Sequence, residues 1–222
     1  MAYQYTGLGR FTGDLLFTLL DMSPDDGVRY TVVIWENPAS QEENFYYARL
    51  KQYESKGLCK ILCVPCKPVS LSQHFTLARH INGLGGDVYF YPHFDLPLGI
   101  NIPSVLMIHD LFPLKVPGYI TRNPGLKILY FNLMLRWVVR KSAFVFALSE
   151  TSRKDYLGVV GERFSDKVGV SLAGPIVKHV PVDPSFSPSF SLPEKFLLYV
   201  GDRRPHKNIK RIIDLFTLLK ET

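Results

Sequence analysis

With 222 residues, of which 46% are hydrophobic, 13% aromatic and 21% charged, the chain has ample apolar surface for a packed core and lies outside the composition of disordered chains. Its net charge of +6 suits phosphorylated small molecules, anionic lipid headgroups or nucleic acid, but the basic residues are dispersed and form no nucleic-acid-binding module, so no nucleic-acid partner is expected. No apolar run approaches the roughly eighteen residues of a membrane span, and Met1–Tyr5 lacks the basic and apolar regions of a signal peptide, so the expected location is cytoplasmic.

Short β-rich runs alternate with longer helical segments, which predicts an α/β fold with a Rossmann-like parallel sheet and helices on both faces. Gly7-Leu-Gly9 reads as a tight turn into a helix from Arg10 to about Leu20, carrying Phe11, Leu15, Leu16 and Leu19 inward. An open α/β domain normally starts with a strand before such a turn. Only six residues precede Gly7, so that first strand is expected to be missing unless Met1 to Tyr5 is its remnant. In chain order there follow a strand over Tyr30–Trp35, a helix over Glu42–Glu54, a strand over Lys60–Val64 and a helix over Leu71–Ile81. Strands over Val88–Tyr91 and Ser104–His109, a helix over Leu126–Lys141, a strand over Phe144–Leu148, a helix from Glu150 to about Val159 and a short strand over Lys167–Val170 complete the pattern. Cys59, Cys63 and Cys66 read as small apolar residues along a buried strand in a reducing compartment; a zinc site would need a fourth ligand, and no metal is expected.

Between Gly174 and Glu194 stand Pro175, Pro181, Pro184, Pro188 and Pro193 without an amphipathic period, the pattern of a surface linker. Phe196–Val200 then restarts the rhythm as a strand, followed by the loop Gly201–Lys207 and a helix from Asn208 whose Ile209, Ile212, Ile213, Phe216 and Leu219 need a sheet to cover. The expectation is therefore a first domain over residues 1–173, a linker over 174–194, and over 195–222 the first strand and helix of a second, truncated domain.

Six places carry candidate chemistry. Arg203, Arg204, His206 and Lys207 crowd the start of the last helix, where the macrodipole and free N–H groups favour an anion. The Gly7-Leu-Gly9 turn brings backbone close to a phosphate or sugar, or is a plain flexible turn. His109 and Asp110 stand just past the carboxyl end of a predicted central strand, the edge at which open α/β sheets bind ligands; a histidine there donates to a substrate hydroxyl or satisfies a loop carbonyl. His93, after the preceding strand, has aromatic neighbours that suit packing as well as binding. Ser149, Glu150 and Arg153 open a helix at the same sheet edge, with capping by Ser149 the stronger explanation. A Ser149–His109–Asp110 hydrolase is disfavoured by the absence of a Gly-x-Ser-x-Gly elbow. The helix over Leu126–Lys141 sets Arg136, Arg140 and Lys141 beside apolar residues, as a helix lying on an anionic membrane would.

Five segments in order, Gly7-Leu-Gly-Arg-Phe11, Asp87-Val-Tyr-Phe-Tyr-Pro-His93, Ile108-His-Asp-Leu-Phe-Pro113, Ala147-Leu-Ser-Glu-Thr-Ser-Arg153 and Tyr199-Val-Gly-Asp-Arg-Arg-Pro-His-Lys-Asn208, resemble the family-4 retaining glycosyltransferases of the GT-B fold, in which two Rossmann-like domains face each other across a cleft. The resemblance implies that Gly7 and Gly9 approach the donor phosphate and sugar, that His109 hydrogen-bonds the donor sugar as the catalytic group, and that Lys207 with Arg203 or Arg204 neutralises the nucleotide diphosphate. Many members place an Arg directly after the loop glycine, where this chain has Asp202. It implies further that His93, Asp110, Ser149, Glu150 and Arg153 line the acceptor side. The implied donor is a nucleotide sugar, with GDP-mannose the specific guess, and the implied acceptor is a lipid-linked or polysaccharide precursor, with a peripheral contact to the inner face of the cell membrane. No separate cofactor is implied. The family's paired glutamates would fall beyond Thr222, so the chain alone is expected to show little or no transfer. The alternative is a non-catalytic remnant that binds a membrane or a partner through its basic surface.

Overall fold

In the computed structural model the described residues are 7–35, 45–66, 70, 72–120, 122–174, 191, 193–201, 203 and 207–220. They belong to two compact units, one over residues 1–111 and 129–176, the other over 112–128 and 177–222. The stretch from Phe112 to Ile128, which the sequence reading kept within the first domain, groups with the later residues. Met1 to Thr6, where a first strand or its remnant would lie, and nearly all of the Pro-rich linker fall outside the described residues.

The first unit is α/β with parallel strands throughout, consistent with a Rossmann-like arrangement. It begins with α1 (Gly7–Asp26), β1 (Tyr30–Trp35), α2 (Phe45–Ser55) and β2 (Cys59–Val64). Glycines in the left-handed region, Gly27 at φ 67° and Gly57 at φ 74°, follow the two helices, where a side chain would be strained. β1 and β2 pair in parallel from Tyr30 opposite Cys59 to Trp35 opposite Val64. Their alternation divides two cores. Val32, Ile34, Cys59 and Ile61 pack with Phe17 and Leu20 of α1 and Tyr46 and Leu50 of α2. Val33, Leu62 and Val64 pack on the opposite face with Leu77 and Ile81. The period-2 pattern of the strands is thus what buries helices on both faces.

Leu77 and Ile81 come from a π-helical turn, Gln73–Leu77, running into α3 (Ala78–Gly83). The predicted helix is present there, but its first turn is widened. β3 (Tyr89–Tyr91) and β4 (Ser104–Ile108) follow, joined by a loop that Asn82 holds: its Nδ2 donates to the Gly99 carbonyl at 2.8 Å and its Oδ1 accepts from the Asn101 N–H at 3.0 Å. The chain continues through the short α4 (Phe112–Lys115), α5 (Pro124–Lys141), β5 (Phe144–Ala147), α6 (Glu150–Val160), a 3-10 turn (Glu162–Lys167) and β6 (Val168–Val170). β3, β4, β5 and β6 form one parallel sheet in that order. On β4 the successive residues Leu106, Met107 and Ile108 are all buried, the mark of a strand covered on both faces. α5 buries Phe131, Met134, Leu135, Val138 and Val139, a stripe at i, i+3, i+4, i+7 and i+8 in which each side chain contributes about 1.5–3 kcal/mol relative to exposure. Tyr156 of α6 is fully buried and donates its hydroxyl to the Leu135 carbonyl at 3.0 Å, which ties α6 to α5.

The structure departs from the sequence expectation in four respects. The single expected sheet is two ladders among the described residues: β3 is only three residues long and bonds to β4, and it meets the first ladder through the Tyr89 side chain in the shared core. Gly7-Leu-Gly9 is no turn but the first turn of α1; neither glycine has a positive φ, and the Thr12 hydroxyl bonds back to the Leu8 carbonyl at 2.8 Å. Cys59 and Cys66 are buried as expected, whereas Cys63 is exposed, although it shares the face of β2 on which Cys59 and Ile61 pack. Phe196–Val200 forms no ladder among the described residues and its side chains are exposed, since a strand without a partner leaves its N–H and C=O groups to water.

In the second unit α7 (Ile209–Lys220) carries the expected amphipathic pattern, with Ile209 and Ile212 half-buried and Ile213, Leu215, Phe216, Leu218 and Leu219 exposed. Asn208 precedes it at φ 52°, a conformation asparagine tolerates. Phe112 and Tyr119 pack with ring centroids 6.1 Å apart.

Candidate functional site

His109 lies one residue beyond β4, at the carboxyl edge of the four-stranded sheet. Its Nε2 donates to the Pro92 carbonyl at 3.0 Å, which fixes the tautomer and leaves Nδ1 as the ring's acceptor. The ring meets the Phe11 ring edge-on, centroids 5.2 Å apart, so the first turns of α1, and with them Gly7 and Gly9, are brought to this edge. Burial holds the His109 pKa below the usual histidine value; His93 acts in the same direction, and the Pro92 carbonyl and Asp110 oppose it. A neutral imidazole results, suited to accepting from a hydroxyl rather than to pairing with an anion.

The start of α6 supports His109 from behind. Ser149 is the N-cap, in extended conformation, and its Oγ accepts from the Ser152 N–H at 3.0 Å. The same hydroxyl donates to Ser152 Oγ at 3.1 Å, which in turn donates to the His109 carbonyl at 3.2 Å. Capping, the stronger of the two sequence readings for Ser149, is thus what its hydroxyl does. Glu150 is exposed in the first turn of α6, where a carboxylate complements the helix dipole. Arg153 is tied to the fold: its Nε donates to the Val168 carbonyl at 2.7 Å and its NH2 group to the Ser165 carbonyl at 3.2 Å. Asp110 is exposed beside His109.

His93 follows β3 and is joined to His109 through Pro92. Its Nδ1 hydrogen-bonds Oδ1 of Asp95, and Asp95 is fully buried. The other carboxylate oxygen accepts from Nε2 of the buried Gln73 at 2.8 Å, and the same amide reaches the Asp95 main-chain carbonyl at 3.1 Å. Tyr91 lies partly buried beside this carboxylate; desolvation first, and then the Asp95 charge, push its pKa well above that of an ordinary phenol. His74, beside Gln73 on the π turn, is buried, its Nε2 sharing a hydrogen bond of 3.4 Å with the Tyr130 hydroxyl. His74 Nδ1 is buried without a partner among the described residues, and desolvation lowers this pKa too, against the raising effect of Asp95. Phe94 packs between His93 and Phe131, centroids 4.5 and 4.4 Å away.

The sheet edge therefore gathers His93, His109, Asp110 and the start of α1, and adds Asp95, Gln73, His74 and Tyr130, which sequence reasoning missed. The one available signal was the His-x-Asp spacing at the end of β3; Gln73 and His74 reach the site only through the widened turn. Arg203 and Lys207 are exposed in the second unit, and Arg204 and His206 fall outside the described residues. Among the described residues no group of three or more His, Cys, Asp or Glu is placed so that it could hold a metal ion, and no helix is long and apolar enough to cross a membrane. No protein-family model matches the chain, and neither a curated protein nor a solved structure does.

Proposed function

We propose that the chain contributes the acceptor-side, Rossmann-like part of a retaining GT-B glycosyltransferase, moving a sugar from a nucleotide-diphosphate donor, GDP-mannose in the specific form of the reading, to a saccharide or lipid-linked hydroxyl. The observation that carries this is the neutral, tautomer-fixed His109 at the carboxyl edge of a parallel sheet, next to the opening turn of a helix. A polyhydroxylated ligand needs neutral acceptors and donors of this kind, and a diphosphate needs the N–H groups of a helix start. Arg203, Arg204 and Lys207 enter by their sequence pattern as the cations that offset charge developing on the leaving diphosphate.

Calorimetric titration of the chain with GDP-mannose and UDP-glucose tests the reading. Binding of one donor in the micromolar to millimolar range, weakened about tenfold by Lys207→Ala and by His109→Ala, is expected, since each change removes about 1.4 kcal/mol of polar interaction. Absence of heat with both donors at about 10 mM, a bound of roughly 3 kcal/mol, refutes it.

A second reading, membrane contact, is favoured by α5, where Leu126, Leu129 and Leu133 are exposed on the helix that ends in the exposed Arg136, Arg140 and Lys141. An apolar stripe with adjoining cations suits the interface of an anionic bilayer. Co-sedimentation with phosphatidylglycerol vesicles but not with phosphatidylcholine vesicles is the expected result, and equal recovery with both would remove this reading.

A further inference from the structure

β2 has β1 as its one neighbouring strand among the described residues, so its far side is a sheet edge. An edge offers N–H and C=O groups to any extended chain that arrives, and proteins blunt such edges with short strands, charges or covers. β6, outermost in the four-stranded sheet, is only three residues long. β2 runs for six residues, and its sequence Cys-Lys-Ile-Leu-Cys-Val holds one charge and no proline, the composition of a segment prone to pair with its own copies.

A side chain from α2 stands on this edge. Glu54 Oε1 accepts from the Ile61 N–H at 2.9 Å, and Oε2 accepts from Lys51 Nζ at 2.8 Å. In a parallel ladder the N–H groups of alternate residues turn to the same side. An Ile61 N–H that meets Glu54 rather than β1 therefore puts Cys59, Ile61 and Cys63 on the outer side, with Ile61 in the middle. The turn between α2 and β2 sets this up: Gly57, at φ 74°, donates to the Glu54 carbonyl at 2.9 Å, and the Leu58 N–H donates to the Tyr53 carbonyl at 3.1 Å. Such a helix end returns the chain beside its own last turn, which lays Glu54 along the strand. Its place runs against helix preference, because a carboxylate there meets the negative end of the macrodipole, and the last turn of α2 has no basic residue. Lys51 first, and then the Ile61 N–H, hold the Glu54 carboxyl below the ordinary carboxylate value, so it is charged at neutral pH.

We propose that Glu54 guards the β2 edge: it occupies the central outward donor and sets a charge in the path of an incoming strand, and without it the edge pairs with the β2 edge of a second copy of this chain. A second copy is the fitting partner because a twofold axis across the edge sets two identical strands antiparallel, each supplying the groups that the other lacks. The inference stands apart from the transferase reading and needs no turnover.

Cys63 is exposed while Cys59 and Cys66 are buried, so a short bismaleimide applied to the 222-residue chain reads this edge. Sedimentation velocity across the micromolar to millimolar range measures association, and near-UV circular dichroism shows that each variant is folded. Wild type is expected to give no cross-link through Cys63. Glu54→Ala is expected to give a dimer with a dissociation constant at least about tenfold tighter than that of wild type, joined through Cys63 by peptide mass spectrometry. Adding Cys63→Lys, which restores a charge to the edge, is expected to return Glu54→Ala to the wild-type state. A folded Glu54→Ala chain that associates no more than wild type overturns the proposal. So does a dimer that Cys63→Lys leaves intact, or a wild-type chain already joined through Cys63. If Glu54→Ala loses its near-UV signal, amide hydrogen exchange of the wild type decides: Ile61 is expected to exchange at least about tenfold more slowly than Cys63, and equal rates overturn the proposal.

Discussion

Replacing Gln73 by leucine tests whether the buried polar network is a structural centre of the first unit. Leucine is close to glutamine in volume, so no large cavity opens, and the change removes the two hydrogen bonds of the amide to Asp95, 2.8 Å to its carboxylate and 3.1 Å to its main-chain carbonyl. A bond to a charged acceptor contributes about 1.5–3 kcal/mol and one to a neutral carbonyl about 0.5–1.5 kcal/mol, and both acceptors are left dry, so Gln73→Leu should cost about 2–4 kcal/mol. At about 2–4 °C per kcal/mol for a chain of this size, the midpoint of thermal unfolding should fall by about 4–16 °C. Urea titration followed by far-UV circular dichroism measures the free energy directly. In an Asp95→Asn background, where the carboxylate charge is gone, the same substitution should cost about half as much, a coupling of about 1–2 kcal/mol. A loss under about 1 kcal/mol, or equal losses in the two backgrounds, would refute the assignment of the amide to the carboxylate.

Two further outcomes follow from packing and from titration. Gly13 of α1 and Gly158 of α6 are both helical, and alanine is favoured over glycine in a helix by about 1 kcal/mol. A Cβ on Gly13 would stand 2.6 Å from the ring of the buried Tyr46, whereas one on Gly158 meets nothing within 4 Å. Gly13→Ala should therefore destabilise by about 1–2 kcal/mol after its propensity gain, as overpacked sites do, and Gly158→Ala should stabilise by about 0.5–1 kcal/mol; urea midpoints moving in the same direction would contradict this. The folded pKa values of His74 and His109 lie below the ordinary histidine value, so between the folded value and about 6.5 the unfolded chain binds more protons. Their contribution is intact above about pH 6.5 and is lost as pH falls toward the folded values. Stability should drop from pH 7 to pH 5, less steeply in His74→Phe, and a wild-type slope matched by that variant would show that His74 does not titrate on unfolding.

The sequence alone determined the element order of the first unit. Each of the six strands forms within a residue or so of the place that periodicity assigned it, because alternating burial on β1 and β2 and the continuous apolar run of β4 are properties of local pattern. It also placed His109 just past a strand end and Ser149 at a helix cap, since both positions follow from the strand and helix boundaries themselves. What chain order does not carry is which polar groups meet. Gln73 and Asp95 stand 22 residues apart, and their bond exists because a π turn rotates Gln73 inward and the loop after β3 carries Asp95 beneath it. Arg153 likewise bonds to the Val168 and Ser165 carbonyls, 15 and 12 residues on, which only the fold brings to it. Gly7 and Gly9 have the composition of a turn, yet helical φ and ψ values are equally open to glycine, and α1 takes them in from its first residue. Local sequence sets where elements begin and end because their hydrogen bonds are local. The ionisation and reach of a site depend on contacts between distant segments, and these only the tertiary structure decides.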